Sequence, residues 1–405
     1  LNCTVQRSVF SRKNYFYPDM PKGYQISQFD LPINVDGWLE LPNGKRCGIE
    51  RAHLEEDTGK SSHMGAGGTR IHDAEYSLVD FNRAGVPLLE VVGRPDLFSA
   101  DEAKAYIAEL RSILIAVGAS DGKMEEGSMR VDCNVSVRRP GEPLGTRCEI
   151  KNVNSLRSVG RAIEYEARRQ ADMILAGEVV RQETRHWNDD TGRTQTLRSK
   201  EEATDYRYFP EPDLVVLDPG EEWIEAVRAA LPTLPRERRA NLAAATGVSV
   251  ASAGIVVERG LDDLVLAAIA AGADPQRAAT HAEHNLADKG AGDLNPAMFA
   301  RLTRMEVDGA ITATQAKAVL AEMLSNPSDA DPQEIATRLG FEAMQSSEIE
   351  HLVDTLIAAH PADWEKFCNG ENKVAGFFVG QAMKATGGKA DGKALTALLN
   401  QRRGQ

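Results

Sequence analysis

Cysteine is scarce in this chain of 405 residues, and its five cysteines are scattered and never spaced as Cys-x-x-Cys. That pattern argues against a disulfide framework and a self-contained zinc site, and it favours a reducing, cytoplasmic compartment. Long hydrophobic runs are also missing, since no stretch approaches the ~20 apolar residues of a membrane helix. Residues 1–14 show no signal-peptide pattern. We therefore expect a cytoplasmic protein without a membrane segment.

Basic residues are in deficit, with 47 Lys and Arg against 60 Asp and Glu, and the net charge of −13 argues against a general nucleic-acid binder. Of the three segments 1–220, 221–365 and 366–405, only the last has a net positive charge, with seven basic and two acidic residues. On charge alone, this basic end is either a solvated helical face or a contact surface for nucleic acid.

Tyrosine is absent after Tyr208, and near residue 220 the sequence changes from turn-rich to alanine-rich with helical periodicity. A polar stretch at 325–332 is typical of a linker. We therefore predict an α+β domain over residues 1–220, an all-α helical domain over 221–330 and a small all-α tail over 331–405.

Local signals predict several elements. Ser99 and Glu102 are spaced as a helix cap, and that helix should end at Gly118. A second helix is expected from about Ser155 to Gly177. β-like runs lie at 131–138 and 148–153, and further helical periodicity lies near 222–231, 249–271, 296–306, 312–325 and 345–359.

Standard catalytic loops are missing as well. Gly59-Lys60-Ser61 resembles the end of a phosphate-binding P-loop, but Leu54 stands where that motif needs glycine. No Gly-x-Ser-x-Gly nucleophile elbow is present. The glycine-rich run at 65–68 is interpreted as a flexible loop. His186 is either a general base or a surface histidine.

Clustered acidic residues are the strongest chemical signal. They are Glu55, Glu56, Asp57, Glu90, Glu125 and Glu126. Adjacent carboxylates repel one another, so they are either solvated or neutralised by a hard cation such as Mg²⁺. Glu90 lies in an apolar run and is either a metal ligand or part of a structural salt bridge.

Basic residues are interleaved with these acids, namely Lys13, Lys22, Arg130, Arg147, Lys151, Arg185 and Arg207. Carboxylates that bind Mg²⁺, together with Lys and Arg donors, are the parts that a phosphoryl-transfer site uses. The residues alone therefore favour a Mg²⁺-assisted enzyme that uses ATP.

Six ordered motifs resemble the B subunit of the tRNA-dependent amidotransferases. They begin with KNYFYPD at 13–19 followed by YQISQ at 24–28, and continue with HLEED at 53–57, KMEEGS at 123–128, EIKNVNS at 149–155 and DYRYFPEPD at 205–213. The helical remainder is similar to that family's helical and tail domains. The resemblance therefore covers essentially the whole chain.

The resemblance implies a carbon–nitrogen ligase of translation with a glutamine-synthetase-like, mixed-sheet cradle. With ATP and Mg²⁺, such a subunit phosphorylates the side-chain carboxylate of misacylated Glu-tRNA(Gln) or Asp-tRNA(Asn). An amidase A subunit releases ammonia from glutamine, and a small C subunit completes the heterotrimer. Ammonia then displaces phosphate to give Gln-tRNA(Gln) or Asn-tRNA(Asn).

Site residues follow from the same resemblance. The implied metal ligands are Glu56, Glu90 and one of Glu125 and Glu126. Glu55, Glu56, Lys13, Lys22 and Arg130 are the implied catalytic residues, with the two lysines near the end of the ammonia path. Lys60, Ser128, Arg147, Lys151 and Arg207 would contact ATP or the acceptor end. The basic tail would contact tRNA through Lys384, Lys389, Lys393, Arg402 and Arg403, with the loop at 387–389 at the tRNA elbow.

The resemblance also implies an opening strand with a Glu-x-His motif that supplies metal ligands, and in some members a cysteine-rich zinc site. This sequence begins after both. Two alternatives stay open, a free-standing ATP-dependent carboxylate–amine ligase and a non-catalytic adaptor that binds tRNA.

Overall fold

The computed structural model describes residues 1–64, 75–199, 206–286, 290–325, 331–341, 346–386, 390 and 392–403, without the side chains of 63, 197–199, 346 and 393. The chain forms two compact units, Leu1–Pro232 and Thr233–Gln405. The predicted glycine-rich loop at 65–68 lies outside the described residues, as do most of the linker at 325–332 and the loop at 387–389. No helix in the described part is long and apolar enough to cross a membrane.

The first unit is built on β-sheets, of which the one with the parallel pair β10–β11 is mixed and the others are antiparallel in the described residues. Its strands are β1 (Thr4–Val5), β2 (Ser11–Asn14), β3 (Tyr24–Ser27), β4 (Asn34–Glu40), β5 (Arg46–Glu56), β6 (Lys60–Met64), β7 (Tyr76–Asp80), β8 (Pro87–Gly93), β9 (Val131–Val135), β10 (Cys148–Val153), β11 (Glu183–Asn188), β12 (Arg193–Ser199) and β13 (Phe209–Pro210). The largest sheet has the order β1-β4-β5-β3-β2-β13, and β8 also pairs with β5. A second sheet has the order β12-β11-β10-β9, and β6 and β7 form a separate ribbon.

In the described part of this unit, three helices accompany the sheets: α1 (Ala100–Ala116), α2 (Leu156–Leu175) and α3 (Glu221–Ala229). The predicted cap is confirmed, because the Glu102 backbone N–H donates to the Ser99 hydroxyl at 3.1 Å. The core is formed by side chains of both large sheets and of α1 and α2, including Ile49, Ile107, Ile150 and Trp187. These sheets and the many helices confirm the α+β class.

The second unit is entirely helical among its described residues. Its helices are α4 (Pro235–Thr246), α5 (Val250–Glu258), α6 (Asp262–Ala270), α7 (Pro275–His284), α8 (Pro296–Val307), α9 (Ala313–Ser325), α10 (Pro332–Arg338), α11 (Ser346–Ala359), α12 (Pro361–Cys368), α13 (Val374–Ala385) and α14 (Gly392–Arg403). One hydrophobic cluster contains Leu242, Phe299 and Ala336. Another contains Ile349, Phe378 and Leu399. The division into three domains stays a prediction.

Two predicted elements differ from the structure. The run at 249–271 is expected as one helical segment, but it forms α5 and α6, because Gly260 adopts a left-handed φ of 66° that ends the first helix. The strand expected at 131–138 ends at Val135. The helix expected from Ser155 is confirmed with Ser155 as its cap.

A buried carboxylate joins α2 to the second sheet. Glu166 is fully buried and accepts hydrogen bonds from Arg169 at 2.6 and 2.9 Å, Gln170 at 2.8 Å and Thr194 at 3.1 Å. Arg185 lies 3.4 Å from the same carboxylate. Burial alone would raise the pKa of Glu166, but the hydrogen bonds from Arg169 and Gln170 outweigh it, and the pKa is lowered.

Replacing Glu166 by Gln is expected to destabilise the protein by about 3–5 kcal/mol at pH 7, because two arginines lose a buried counter-charge. A carboxylate with a lowered native pKa stabilises fully above its unfolded pKa, and this contribution disappears as the pH falls through the native pKa. The deficit should therefore shrink below pH ~4.5. Urea unfolding between pH 3 and 7 measures it. Glu164→Gln, an exposed change on α2, should stay within about 0.5 kcal/mol, and a pH-independent deficit for Glu166→Gln would contradict the prediction.

Candidate functional site

The candidate site lies on one face of the large sheet, around the end of β5. Residues two apart in a strand point to the same face, so His53 and Glu55 share one. Glu90 on β8 stands directly opposite His53, and Ser27 on β3 stands opposite Glu55. Lys13 on β2 stands opposite Gln25 and therefore points to this same face. Neighbouring strands thus bring two carboxylates, an imidazole and an ammonium group together.

The centre of the site is an acidic cluster with a buried histidine. His53 Nε2 lies 3.1 Å from Glu90 Oε2 and 3.9 Å from Glu55 Oε2. One ligand atom from each of the three residues lies within 4.8 Å of the others. In the described part of the chain, this is the one group of three or more potential ligands that converges so closely.

The charges in the cluster depend on one another. Burial disfavours the charged form of His53, but the nearby carboxylates of Glu55 and Glu90 outweigh burial and raise the pKa of His53 to about 9. The hydrogen bond from His53 lowers the pKa of Glu90 against the effect of burial, and the charges of Arg51 and Lys13 act in the same direction. Glu90 is therefore an anion at neutral pH.

The cluster fits a divalent cation. Adjacent ligands of an octahedral ion bound at ~2.1 Å lie about 3 Å apart, and opposite ligands lie about 4 Å apart. The distances from His53 Nε2 to Glu90 and Glu55, 3.1 and 3.9 Å, agree with these values. The two carboxylates suit Mg²⁺ or Mn²⁺, and His53 can join them as a ligand only after its Nε2 atom has released the proton that it shares with Glu90. His53 Nδ1 is also buried without a hydrogen-bond partner within the described chain, but Nε2 is the ring atom close to both carboxylates, so Nδ1 adds no ligand to the cluster.

Aromatic rings border the cluster. The Lys13 ammonium group lies 4.8 Å from the centre of the Tyr206 ring. Tyr206 packs edge-on against Tyr15 and Tyr208, and Tyr208 stacks on Phe29 with ring centres 3.9 Å apart. Burial, followed by the charge of Glu55, raises the pKa of Tyr208 to about 12. These rings present flat surfaces beside the carboxylates.

Glu56 lies apart from the cluster of Glu55 and Glu90. Side chains alternate along β5, so Glu56 leaves the strand on the side opposite to Glu55. Its Oε1 atom lies 2.5 Å from the Lys22 ammonium group and accepts a hydrogen bond from the Ile26 backbone N–H at 2.9 Å. Lys22 and Glu56 therefore form an ion pair at the end of β5.

Asp57 directly follows the end of β5, two residues after Glu55. Its buried carboxylate accepts a hydrogen bond from Arg130 Nη2 at 2.5 Å, and Arg83 Nε lies 3.4 Å away. Arg130 thereby connects the turn at 123–130 to the site.

The acidic pair in that turn does not join the cluster. Glu125 and Glu126 are exposed, and Glu126 pairs with Lys123 at 2.9 Å. Ser128 is exposed and shares a hydrogen bond with Asp121. The structure thus brings together Glu90 and Glu55, but neither member of the 125–126 pair.

The other predicted ligand contacts are spread over the unit. Lys60 is exposed and stands opposite Asp80 in the β6–β7 ribbon. Arg147 is exposed, and Lys151 lies between Asp132 at 2.7 Å and Glu149 at 3.6 Å. Arg207 is exposed with a left-handed φ of 48°.

The predicted tRNA contacts in the tail differ in their surroundings. Lys384 is exposed on α13. Arg402 forms a two-pronged ion pair with Asp354 at 2.9 and 3.1 Å. Arg403 donates to the Asn372 side chain at 2.7 Å and lies over the Phe367 ring. Lys389 and the side chain of Lys393 lie outside the described residues.

Sequence reasoning missed His53 and Arg83 as site residues. The signal for His53 was its position two residues before Glu55, which places both on one strand face. No sequence pattern marked Arg83, because it reaches Asp57 only in the folded chain, from a turn 26 residues further along the sequence.

Comparisons with known proteins show the family of this chain. Residues 1–225 match the family described as "GatB/GatE catalytic domain", and residues 273–402 match "GatB domain". The chain is 45% identical over 424 residues to the B subunit of the aspartyl/glutamyl-tRNA(Asn/Gln) amidotransferase of Salinispora arenicola strain CNS-205, covering 100% of this chain and 84% of the relative. It is 46% identical to the corresponding protein of Rhizobium meliloti strain 1021, covering 98% and 81%. The chain therefore belongs to the family of B subunits of the aspartyl/glutamyl-tRNA(Asn/Gln) amidotransferases.

Proposed function

We propose that this protein activates the side-chain carboxylate of a misacylated tRNA with ATP and then amidates it. The observation that carries the proposal is the convergence of His53, Glu55 and Glu90 beside Lys13 in a chain of this family. Anionic ligands for a cation next to a fixed ammonium group are what phosphoryl transfer requires, and no covalent nucleophile is needed.

The reaction proceeds in two steps. A carboxylate oxygen of the glutamyl or aspartyl group attacks the γ-phosphorus of ATP, the bond to the bridging oxygen breaks, and ADP leaves. Ammonia then attacks the acyl carbon and loses a proton as orthophosphate departs with the C–O bonding electrons. The products are Gln-tRNA(Gln) or Asn-tRNA(Asn), ADP and phosphate.

Residues of the site take distinct roles in this proposal. Glu55, Glu90 and His53 would hold Mg²⁺, which neutralises charge on the transferring phosphoryl group. Lys13 faces the carboxylates and would orient the reacting groups at the end of the ammonia path. Glu56 and Lys22 would form an ion pair on the side of β5 opposite to Glu55. The predicted metal roles of Glu56, Glu125 and Glu126 are retained as proposals for the substrate-bound state.

The predicted contacts with the nucleotide and the acceptor end also belong to this proposal. Their residues are Lys60, Ser128, Arg130, Arg147, Lys151 and Arg207. A glutamine-synthetase-like cradle would place these groups around the cluster. The first unit would then supply the catalytic domain.

Partners complete the proposed assembly. An amidase A subunit would supply ammonia from glutamine, and a small C subunit would join the two in a cytoplasmic heterotrimer. The exposed Lys384 and the basic end of the chain support contact between the tail and tRNA phosphates. Because Arg402 and Arg403 already hold Asp354 and Asn372, their main role would be to shape this surface.

The test measures ATP hydrolysis by the full-length protein assembled with its amidase and clamp partners. Hydrolysis should require Glu-tRNA(Gln) or Asp-tRNA(Asn) and should not be stimulated by the correctly acylated tRNA. Dependence on the misacylated form separates the proposal from general stimulation by RNA, since the two tRNAs differ only in the side chain to be activated.

Each alternative function has its own outcome in this assay. Hydrolysis that is indifferent to tRNA would favour a free-standing carboxylate–amine ligase acting on a small molecule. Bound tRNA without any hydrolysis would favour a non-catalytic adaptor. Either result would contradict the proposed function.

A further inference from the structure

Two arginines share one oxygen of a buried carboxylate next to the candidate site. Asp57 Oδ2 accepts a hydrogen bond from Arg130 Nη2 at 2.5 Å and lies 3.4 Å from Arg83 Nε. These two distances limit the separation of the two nitrogens to under about 6 Å. Asp57 Oδ1 accepts from the Thr58 backbone N–H at 2.8 Å, so the carboxylate itself is held in place.

The arrangement leaves a surplus of positive charge. One carboxylate faces two guanidinium groups, and the other partners of Arg83 are the neutral carbonyls of Thr58 and Gly59 at 3.0 and 3.1 Å. The neighbouring Lys22–Glu56 pair is neutral overall. The Asp57 side chain is only 10% exposed, whereas those of Arg83 and Arg130 are 37% and 47% exposed. The surplus charge therefore faces solvent while its anchor is buried.

The backbone couples these arginines to the acidic cluster. The Asp57 backbone N–H donates to the Val86 carbonyl at 2.8 Å, and the Gly85 N–H donates to the Asp57 carbonyl at 3.0 Å. These bonds join the end of β5 to the turn that leads into β8, the strand of Glu90. Arg130 comes from the turn that leads into β9. Three segments therefore meet at Asp57, two residues beyond Glu55.

We propose that Arg83 and Arg130 form a clamp for the terminal phosphate of a nucleoside triphosphate, with Asp57 as the positioning residue that holds both. Guanidinium groups bind phosphate oxygens through charge-assisted hydrogen bonds, and Arg83 would donate from Nη1, because its Nε and Nη2 already donate to the carbonyls of Thr58 and Gly59. The buried carboxylate orients the guanidinium groups before the ligand arrives, which lowers the entropic cost of binding. This inference rests on the proposed function, because it assigns the phosphate to the ATP of that reaction.

The experiment compares Arg130→Gln and Arg83→Gln with Arg94→Gln in the full-length assembled enzyme. Arg94 is a matched control, 48% exposed and paired with Asp36 elsewhere on the sheet. Calorimetric titration with a non-hydrolysable ATP analogue and Mg²⁺ should show Kd raised about 10–100-fold in the two clamp variants and unchanged in the control. KM for ATP should rise in parallel, and Arg130→Lys should recover only part of the affinity.

Asp57→Asn tests the positioning role. It should raise the Kd for the analogue about tenfold while misacylated tRNA still binds normally, because Arg130 loses its anionic hydrogen-bond acceptor and Arg83 loses the negative charge beside its Nε atom. If this variant does not fold, the exposed Arg130→Gln change still decides whether the clamp binds the phosphate. A purely structural role for Asp57 would lower thermal stability without a separate change in KM for ATP, and that result would overturn the assignment.

The remaining outcomes show whether the phosphate bound by these arginines belongs to ATP or to RNA. Unchanged affinity for the analogue in both arginine variants would overturn the clamp. Weaker binding of tRNA with unchanged affinity for the analogue would assign the arginines to an RNA backbone and would also overturn it. Neither result bears on the tRNA dependence of hydrolysis in the unmodified enzyme, so failure of the clamp and failure of the proposed function are distinguishable.

Discussion

Replacing Glu90 by Gln is expected to lower the rate of tRNA-dependent ATP hydrolysis by about 10²–10³-fold. The substitution would keep the size of the side chain but remove the anion that lies 3.1 Å from His53 Nε2. The site would then offer a cation one carboxylate instead of two. Loss of a charged ligand removes stabilisation that is needed most when negative charge develops on the transferring phosphoryl group.

Two measurements check this expectation. Steady-state kinetics should show the loss in kcat, and Mn²⁺ titration followed by electron paramagnetic resonance should show weaker metal binding. The control is Glu50→Gln, an exposed change on the same β5 strand as His53, which should leave both quantities within about twofold. Normal kcat in Glu90→Gln would exclude the acidic cluster as the centre of the reaction.

Replacing Phe299 by Ala is expected to destabilise the helical unit by about 3–5 kcal/mol. Phe299 is fully buried on α8 within a cluster that includes Leu242 and Ala336, and its ring contacts the edge of the buried His281 ring. Truncation would remove apolar contacts and leave a cavity, because the surrounding helices are closely packed and cannot fully collapse onto the space.

Urea unfolding, with hydrogen exchange to localise the change to residues 233–405, measures this loss. Val307→Ala is the matched control, since Val307 ends the same helix but is 55% exposed. It should change the free energy of unfolding by less than about 0.5 kcal/mol. Equal effects of the two substitutions would show that α8 does not bury its Phe299 face in solution.

Local sequence signals were sufficient for much of the fold. The cap at Ser99 and the stop at Gly118 depend on residues within one helical turn, and α1 begins and ends where they predict. The same is true of Ser155 and α2. The helix at 235–246 was not predicted individually, because its alanine-rich sequence shows little contrast between apolar and polar faces. The helix at 275–284 was also missed, because its buried face consists of three alanines and a histidine instead of large apolar residues.

The candidate site was predicted only in part. The residue types at Glu55 and Glu90 are enough to indicate that a metal could bind. The sequence could not show whether Glu55 or Glu56 joins Glu90, because a shift of one residue in the strand register moves a side chain to the other face of the sheet. An irregularity in the pairing of β5 with β8 between Ile49 and Arg51 sets the register that places His53 opposite Glu90.

The sequence by itself determined the element types, the change to helical sequence near residue 220 and the acidic and basic groups available for chemistry. These properties depend on side chains close together along the chain. Only the tertiary structure decided that Glu90 lies with His53 and Glu55, and that Asp57 joins Arg83 to Arg130. Those contacts span 26 to 73 residues, and pairing at such distances is decided by strand register and burial rather than by local propensity.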